Sequence, residues 1–264
     1  MAHSFDLVVA TVDRAPELRR FFDSLAHQTH GIFRVLLVDQ NEDDRLEPLV
    51  REQPLELLHL RSARGLSSAR NAALPYVRAD LVAFPDDDCI YPRDLLHRVA
   101  SRFEKTASLG GLSGRGGASP SWAQDPAVLT RENLWNRAIS YALFLRREVV
   151  EGVGRFDERL GLPSSSGEEI DYLVRALDMG TRIEYDPSFV IDHGEEARDL
   201  VDVAARDGKS IGYILRKHRY RPRTVARMLA RPAGGALLAA LRKDGQRARF
   251  HAATLRGRVA GYVL

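Results

Sequence analysis

Short apolar runs alternate with amphipathic stretches through the first 110 residues. The runs predicted as strands are residues 7–11, 35–38, 55–60 and 81–84. Between them, apolar residues recur three and four positions apart, which predicts helices after Pro16, over 67–76 and after Pro92. Strands that alternate with helices are typical of βαβ units. The chain is therefore predicted to have an α/β, Rossmann-like fold with a mostly parallel central sheet and helices on both faces.

The second half of the chain has a less regular pattern. Glycine, serine and proline dominate residues 110–126, which predicts a long loop. Beyond it, an apolar run returns at 139–145, and helical spacing returns at 168–177. Two short apolar runs, 183–185 and 188–191, predict closing strands. The predicted sheet therefore continues beyond the loop.

Acidic residues follow the predicted strands directly, at the places where ligands bind in open α/β sheets. Asp39 ends the second strand, and the triplet Asp86-Asp87-Asp88 follows the fourth. Near a protein surface, two carboxylates about 4 Å apart repel by about 4 kcal/mol, and a hard cation such as Mg²⁺ or Mn²⁺ relieves that repulsion. A solvated acidic turn before the next helix is the alternative. The position at a strand end favours a metal site.

A second acidic cluster, Glu168-Glu169 with Asp171, opens the helix predicted over 168–177. The helix dipole stabilises carboxylates there by about 0.3–1 kcal/mol each, which is a sufficient structural explanation. The functional alternative is a general base that takes a proton from an acceptor hydroxyl. Both explanations stay open from the residues alone.

Two further features have both a structural and a functional interpretation. The stretch Arg64–Asn71 combines a glycine, two hydroxyls and two arginines, as in a capped helix start or a phosphate site. His193 follows an apolar run, where a lone histidine is usually structural but becomes a metal ligand beside a divalent ion. Neither feature decides a function alone.

Composition excludes several classes of protein. The 264 residues, 44% of them hydrophobic, suffice for one full-sized globular domain with an appendage. The single cysteine, Cys89, excludes an internal disulfide framework and a CxxC zinc or redox site, and it fits a reducing compartment. The chain has no P-loop, complete GxGxxG, HExxH or GxSxG motif, which disfavours Walker-type ATPases, ordinary Rossmann dehydrogenases, zincins and α/β-hydrolases.

The charge is divided unevenly along the chain. Residues 1–208 carry 25 Lys and Arg against 35 Asp and Glu, whereas residues 209–264 carry 14 against a single acid, Asp244. A basic tail on an acidic body indicates an anionic partner, such as a membrane surface, a nucleic acid or an acidic substrate. The N-terminus predicts no signal peptide. The apolar run 233–241 is far shorter than the roughly 20 residues that span a bilayer.

Eight short stretches of the chain, taken in order, resemble glycosyltransferase family 2, whose members are inverting nucleotide-sugar glycosyltransferases with the GT-A fold. The resemblance covers about residues 4–195. It rests on Val8–Arg14, Val38-Asp39, Gly65–Asn71, Asp86–Asp88, Gly154–Glu158, Glu168-Glu169, Tyr185 with Pro187, and His193. Two departures are the stretch 39–43, which reads Asp-Gln-Asn-Glu-Asp in place of Asp-Asp-Gly-Ser-Thr-Asp, and Glu168-Glu169, which is usually Glu-Asp.

The resemblance implies a domain organisation and a reaction. A GT-A catalytic domain would span 1–195, with a nucleotide-binding half over about 1–110 and an acceptor half over 111–195. A basic helical extension would follow over 196–264. The reaction implied is metal-dependent transfer of a sugar, with inversion, from a nucleoside-diphosphate sugar to an acceptor hydroxyl, with Mn²⁺ or Mg²⁺ as cofactor.

The resemblance also implies a role for individual residues. The residues implied in nucleotide-sugar binding are Thr11, Asp13, Arg14, Asp39, Arg64, Gly65, Arg70, Asn71, Asp86 and Asp87. The residues implied in metal binding are Asp88, Asp86 and His193. The catalytic candidates are Glu169, Glu168 and Asp171. By position, Glu169 is assigned as the base, with Glu168 close behind.

The basic tail has two interpretations. Apolar and basic residues interleave over 209–264, as in helices that lie at an anionic membrane surface. Such an anchor suits a cytoplasmic enzyme at the inner membrane face that acts on a glycan or lipid-linked acceptor, as in polysaccharide biosynthesis. The alternative is helices that pack on the catalytic domain. A nucleic-acid partner is disfavoured because no recognised binding motif accompanies the charge.

Two other functions compete with glycosyl transfer. A nucleotidyltransferase normally has a Gly-rich loop with Lys or Arg after its first strand, and this chain has Val12–Pro16 there. A non-catalytic membrane or nucleic-acid binding protein with a degenerate enzyme domain is disfavoured because both acidic clusters are present.

Overall fold

The computed structural model describes residues 3–117, 121–161, 166–194 and 200–263. The chain divides into two separately packed units. The sheet unit consists of Met1–Phe156 with Tyr172–Gly194, and the helical unit consists of Asp157–Asp171 with Glu195–Leu264. Residues 157–161 and 166–171 thus pack with the C-terminal helices.

The first part of the sheet unit alternates strands and helices, as predicted. Its elements are β1 Phe5–Thr11, α1 Ala15–Ala26, β2 Phe33–Asp39, α2 Glu47–Arg51, β3 Leu57–Arg61, α3 Leu66–Ala73 and β4 Leu81–Ala83. Strands β3, β2, β1 and β4 lie side by side in that order, and all three pairs are parallel. The carboxyl ends of these strands therefore meet at one edge of the sheet.

The apolar spacing that predicts the first helix matches the face that α1 buries against the core. The buried side chains of α1 are Leu18, Phe21, Phe22 and Leu25. Burying one such side chain is worth roughly 1.5–3 kcal/mol. The helix is therefore held mainly by packing, and its position fixes the loop between β1 and α1.

The second part of the sheet unit is mixed. Its elements are β5 Cys89–Ile90, α4 Leu95–Lys105, β6 Gly111–Gly116, β7 Ala127–Val128, β8 Leu143–Arg146, α5 Arg147–Val153, α6 Glu168–Asp178 and β9 Ile183–His193. The first turn of α6, up to Asp171, belongs to the helical unit. Strand β8 pairs antiparallel with both β4 and β6. Strand β9 pairs parallel with β6 and antiparallel with β5 and β7. The strands of the first part are therefore all parallel, whereas the second part combines one parallel pair with several antiparallel pairs.

The long loop predicted over 110–126 is wrong for residues 111–116, which form the buried strand β6. A Cβ on Gly114 would lie 2.3 Å from the Phe189 carbonyl oxygen, and a Cβ on Gly116 would lie 1.8 Å from the Tyr141 hydroxyl. These glycines permit close approach of neighbouring chain segments rather than a turn. Residues 118–120 of the predicted loop lie outside the described residues.

The two closing strands predicted over 183–185 and 188–191 form one continuous strand, β9. Its register with β6 shifts between Ser113 and Arg115, which accounts for the break in the apolar pattern. At its far end β9 pairs with β5, with His193 opposite Cys89. This pairing brings the end of β9 beside the acidic triplet that precedes β5.

The helical unit contains three long helices, α7 Leu200–Lys217, α8 Pro222–Leu241 and α9 Gly245–Val263. Helices α7 and α9 cross at glycines. A Cβ on Gly212 would lie 2.1 Å from the Arg258 carbonyl oxygen, and a Cβ on Gly257 would lie 2.2 Å from that of Ala205. The two backbones are thus in direct contact. Within the described residues, no helix is long and apolar enough to cross a bilayer.

We expect Gly257→Ala to destabilise the protein by about 1–3 kcal/mol, because the added methyl group would press on the α7 backbone. The matched control is Gly234→Ala in α8, where a Cβ meets nothing within 4 Å. That variant should be neutral or more stable by about 0.5–1 kcal/mol, because alanine favours a helix. Denaturant unfolding measures both, and equal stabilisation by the two changes would contradict the close crossing.

Candidate active site

The loop after β1 and the acidic triplet meet at the carboxyl edge of the sheet. Thr11, the last residue of β1, donates its hydroxyl hydrogen to Asp87 Oδ2 at 2.7 Å. Arg14 Nη2 lies 2.6 Å from Asp88 Oδ2, and Arg14 Nη1 lies 3.5 Å from Asp87 Oδ1. The cluster therefore contains its own counter-cation, supplied by the residue just before α1.

His193 reaches the same cluster from the end of β9. Its Nε2 lies 3.0 Å from Asp88 Oδ1 and 3.4 Å from Asp86 Oδ2. The imidazole stacks on the Tyr141 ring, with centroids 4.7 Å apart. Burial disfavours the charged imidazole, but the carboxylates of Asp86 and Asp88 outweigh it and raise the pKa of His193 to about 10.

The two buried carboxyls of the triplet have opposite pKa shifts. Burial raises the pKa of Asp87 to about 7, and the hydrogen bond from Thr11 opposes this shift. Burial acts on Asp88 too, but His193 and Arg14 outweigh it and hold the pKa of Asp88 below its ordinary value. Asp88 is thus the more anionic of the two near neutral pH.

The donor set at this edge fits a hard divalent cation. Asp86, Asp88 and His193 offer carboxylate oxygens and an imidazole nitrogen, which Mn²⁺ accepts and Mg²⁺ accepts in part. Asp88 Oδ1 is buried and accepts no hydrogen bond of normal geometry within the described residues. Across those same residues, no three His, Cys, Asp or Glu side chains are already arranged to coordinate a metal ion. The ligands are present, and they are paired with Arg14 and with one another.

Asp39, at the end of β2, is fully buried and hydrogen-bonded by its neighbours. Its Oδ1 accepts hydrogen bonds from the Asn41 backbone and side-chain nitrogens at 2.9 and 2.7 Å. Its Oδ2 lies 3.0 Å from His59 Nε2. Asn41 and His59 are not among the site residues predicted from the sequence. His59 could have been identified from the sequence, because it is a polar residue within the apolar run 55–60.

Asp13 and Arg64, both predicted donor-site residues, are brought into contact. Asp13 has a left-handed backbone, with φ of 58°. Its Oδ2 accepts a hydrogen bond from Arg64 at 2.8 Å, and its Oδ1 accepts one from Arg45 at 2.6 Å. Arg45 gave no sequence signal, because its role depends on the fold of the 40–46 loop.

Helix α3 carries the other predicted residues of the 64–71 stretch. Gly65, with φ of 139°, donates its N–H to Gln40 Oε1 at 2.6 Å. Buried Arg70 lies 3.3 Å from Asp86 Oδ1. Asn71 exchanges two hydrogen bonds with the Phe156 backbone, at 2.7 and 3.0 Å. Arg70 therefore joins the acidic cluster, whereas Asn71 braces the helix that carries it.

In the helical unit, the three predicted catalytic acids form the first turn of α6. Glu168 is buried, Glu169 is half-buried and Asp171 is inaccessible to solvent. Asp171 Oδ1 lies 2.5 Å from Lys217 Nζ and 2.8 Å from His218 Nε2. Asp171 is therefore ion-paired with Lys217, the last residue of α7, and hydrogen-bonded to the next residue, His218.

The chain is similar to known glycosyltransferases in sequence. Residues 6–153 match the family model described as Glycosyl transferase family 2. The chain is 28% identical over 254 residues to the pre-mycofactocin glycosyltransferase of Mycobacterium tuberculosis, covering 88% of this chain and 51% of that protein. It is 24% identical over 195 residues to glycosyltransferase AglE of Haloferax volcanii, covering 68% of this chain and 63% of that protein. The chain thus spans about half the length of the first relative.

Solved structures share the fold. A mannosyltransferase from Pyrobaculum calidifontis, in complex with GDP-Man and Mn²⁺, has a TM-score of 0.70 at 17% identity, over 99% of this chain and 87% of that one. S. aureus TarS 1-349, in complex with UDP-GlcNAc, has a TM-score of 0.66 at 17% identity, over 97% of this chain and 92% of that one. These likenesses confirm the predicted α/β architecture with a helical C-terminal region.

The family match covers more than half of the chain, and the matched relatives are glycosyltransferases. The family match therefore favours glycosyl transfer over the nucleotidyltransferase alternative. The chain belongs to glycosyl transferase family 2 and has the GT-A fold.

Proposed function

We propose that the chain transfers a sugar, with inversion, from a nucleoside-diphosphate sugar to an acceptor hydroxyl, and that Mn²⁺ or Mg²⁺ assists. One observation carries the proposal: Asp86, Asp88 and His193 converge at the strand ends, beside Arg14 and Arg70. Such a mixture of carboxylate, imidazole and guanidinium groups suits a diphosphate and its cation. The GDP-Man and Mn²⁺ of the Pyrobaculum mannosyltransferase support it.

Asp88, Asp86 and His193 are the residues that would hold the metal ion. When bound, the ion neutralises charge that develops on the leaving diphosphate. Arg14 and His193 balance the carboxylates in the protein alone. Their positive charge keeps the triplet folded at the edge where the diphosphate is expected.

The donor is assigned to the carboxyl edge of the first strands. We assign the nucleoside to the ends of β1 and β2, where Asp13 and Asp39 lie. The diphosphate is assigned to Arg14, Arg64 and Arg70, because one guanidinium group can donate two parallel hydrogen bonds to a phosphate group. The residues that support this arrangement are Thr11, Gly65, Asn71, Asp86 and Asp87.

The general base is assigned to Glu169. A base must come within hydrogen-bond distance of the acceptor hydroxyl, so it needs an accessible carboxylate. Glu168 is buried, and the carboxylate of Asp171 is inaccessible and ion-paired with Lys217. Glu169 is the half-buried member of the turn. We therefore assign proton removal to Glu169 and a structural role to Asp171.

An exposed apolar patch in the helical unit supports an acceptor at a membrane. Leu237, Leu238 and Leu241 of α8 are 63%, 56% and 72% exposed. Arg242 and Lys243 follow directly and are exposed as well. Leucines beside basic residues suit an anionic bilayer surface, with about 1 kcal/mol for each basic residue. We assign the patch to the cytoplasmic membrane face, where a lipid-linked or polysaccharide acceptor would be presented.

Replacing Asp88 by asparagine is expected to lower metal-dependent turnover at least ~100-fold, or ~2.7 kcal/mol in activation free energy, because a charged metal ligand is lost. Release of nucleoside diphosphate in the presence of Mn²⁺ measures the rate. The control Asp192→Asn changes an exposed carboxylate next to His193 and should retain the wild-type rate. Undiminished turnover in Asp88→Asn would contradict the metal assignment.

The triple change of Leu237, Leu238 and Leu241 to serine is expected to weaken binding to anionic phosphatidylglycerol vesicles at least ~10-fold, because three apolar side chains no longer leave water. Co-sedimentation measures the bound fraction. The control Ile32→Ser removes an apolar side chain that is 51% exposed in the sheet unit. That variant should bind like the wild type. Equal binding by wild type and triple variant would rule out the patch as the membrane contact.

A further inference from the structure

The chain that enters the acidic turn of α6 is tied to α7. The Ser166 backbone N–H donates to Ser210 Oγ at 3.2 Å. The Ser166 hydroxyl donates to Asp207 Oδ1 at 2.6 Å. Two hydrogen bonds thus fix Ser166, which lies two residues before Glu168, the first carboxylate of the turn.

Gly167 brings the same backbone against the side of α7. Its φ is 86°, a conformation that glycine adopts without strain. A Cβ at this position would lie 3.1 Å from Ile214 Cδ1 and 3.6 Å from Ser210 Cβ. The Gly167 carbonyl oxygen accepts a hydrogen bond from the Asp171 backbone N–H at 3.1 Å. The turn therefore begins in direct contact with α7.

After the acidic pair, Asp171 ties the turn to the last residues of α7. Its Oδ1 lies 2.5 Å from Lys217 Nζ and 2.8 Å from His218 Nε2. Lys217 Nζ also donates to Asp157 Oδ2 at 2.8 Å. A buried carboxylate is stable only when it is paired. One ammonium group thus joins two carboxylates that lie on either side of the Glu168-Glu169 pair in sequence.

Asp157 is a firm anchor for this bridge. It also accepts hydrogen bonds from the Tyr213 hydroxyl at 2.6 Å and from Arg159 Nε at 3.1 Å. Burial opposes its ionisation, but the donors Arg159, Lys217 and Tyr213 outweigh burial and hold the pKa of Asp157 well below its ordinary value. Lys217 therefore lies between Asp157, which is held ionised, and the buried carboxyl of Asp171, 2.5 Å from its Nζ.

The α7 residues that hold the turn recur at helical spacing. They are Asp207, Ser210, Ile214 and Lys217, three or four positions apart, so they form one face of the helix. We propose that Lys217 is a positioning residue for the general base: by bridging Asp157 and Asp171, it fixes the turn that aims Glu169 at the acceptor hydroxyl. The inference rests on the proposed role of Glu169. It makes the C-terminal helices part of the catalytic apparatus.

Steady-state kinetics of the full chain test the proposal. Lys217→Met should lower kcat about 10–100-fold and leave the donor KM within about twofold, because the base loses its alignment while the donor site is unchanged. Lys217→Arg keeps the charge and should recover kcat to within about fivefold of wild type. The control Lys105→Met removes an exposed lysine of α4 and should retain the wild-type kcat.

A milder variant covers the case in which Lys217→Met does not fold. Ser210→Ala removes a single hydrogen bond to Ser166 and should lower kcat about 3–10-fold, with an unchanged donor KM and cooperative unfolding retained. The double variant Lys217→Met with Asp171→Asn should be no slower than Lys217→Met alone, because both changes break one bridge. Additive losses in the double variant would show that the two residues act separately, which overturns the bridge.

The variant Glu169→Gln distinguishes the base assignment of Glu169 from the positioning role of Lys217. It should lower kcat at least ~100-fold. If it does so while Lys217→Met and Ser210→Ala keep the wild-type kcat, the positioning role is overturned and the base assignment stands. A loss in Lys217→Met that appears only in the donor KM overturns the positioning role as well. If Glu169→Gln itself turns over at the wild-type rate, the base assignment fails, and the inference about Lys217 fails with it.

Discussion

The arrangement of the sheet unit depends on the repulsion among three adjacent carboxylates at the end of a buried strand. The triplet 86–88 is neutralised by groups from three separate elements: Arg14 from the start of α1, Arg70 from α3 and His193 from the end of β9. Removing one partner of a buried charge pair costs roughly 3–5 kcal/mol. The register of β9 and the packing of α1 and α3 are therefore tied to the same cluster that is proposed to receive the diphosphate.

The same constraint operates in the helical unit. Asp171 is a buried carboxylate and Asp157 a half-buried one, and the Lys217 ammonium group pairs with both. The glycine crossing between α7 and α9 holds the α7 backbone in place, and α7 carries Lys217. The proposed base is thus supported by a helix from the far end of the sequence. Basic residues of the C-terminal region thus occur in two settings: Lys217 pairs internally near α6, and Arg242 and Lys243 lie on an exposed surface at the end of α8.

The spacing of apolar residues predicts those elements whose structure depends on neighbouring residues in the sequence. The apolar spacing of Leu18, Phe21, Phe22 and Leu25 predicts α1, because that spacing is itself the buried face. The resemblance of ordered motifs predicts the family, since several weak motifs in register are specific together. It also directs attention to the strand ends, where the structure brings Asp86, Asp88 and His193 together.

Features that depend on distant neighbours could not be predicted. Glycine at positions 114 and 116 indicates a turn by composition, but these glycines serve close approach to Phe189 and Tyr141. The partners of Asp39 and Asp171 come from other elements, at His59 and at Lys217. Charge counting identifies the basic tail but does not distinguish a lysine that bridges buried carboxylates from one that faces solvent.

The central claim is that the strand-end cluster binds a nucleoside diphosphate together with a divalent metal ion. Calorimetric titration of UDP, GDP, dTDP and CDP into the wild-type protein, with and without Mn²⁺, tests it most directly. We expect one of these nucleotides to bind tightly with Mn²⁺ and at least ~10-fold more weakly without it, because two coupled ligands raise each other's affinity. Equal affinity with and without Mn²⁺, or binding of none of the four, would contradict the account.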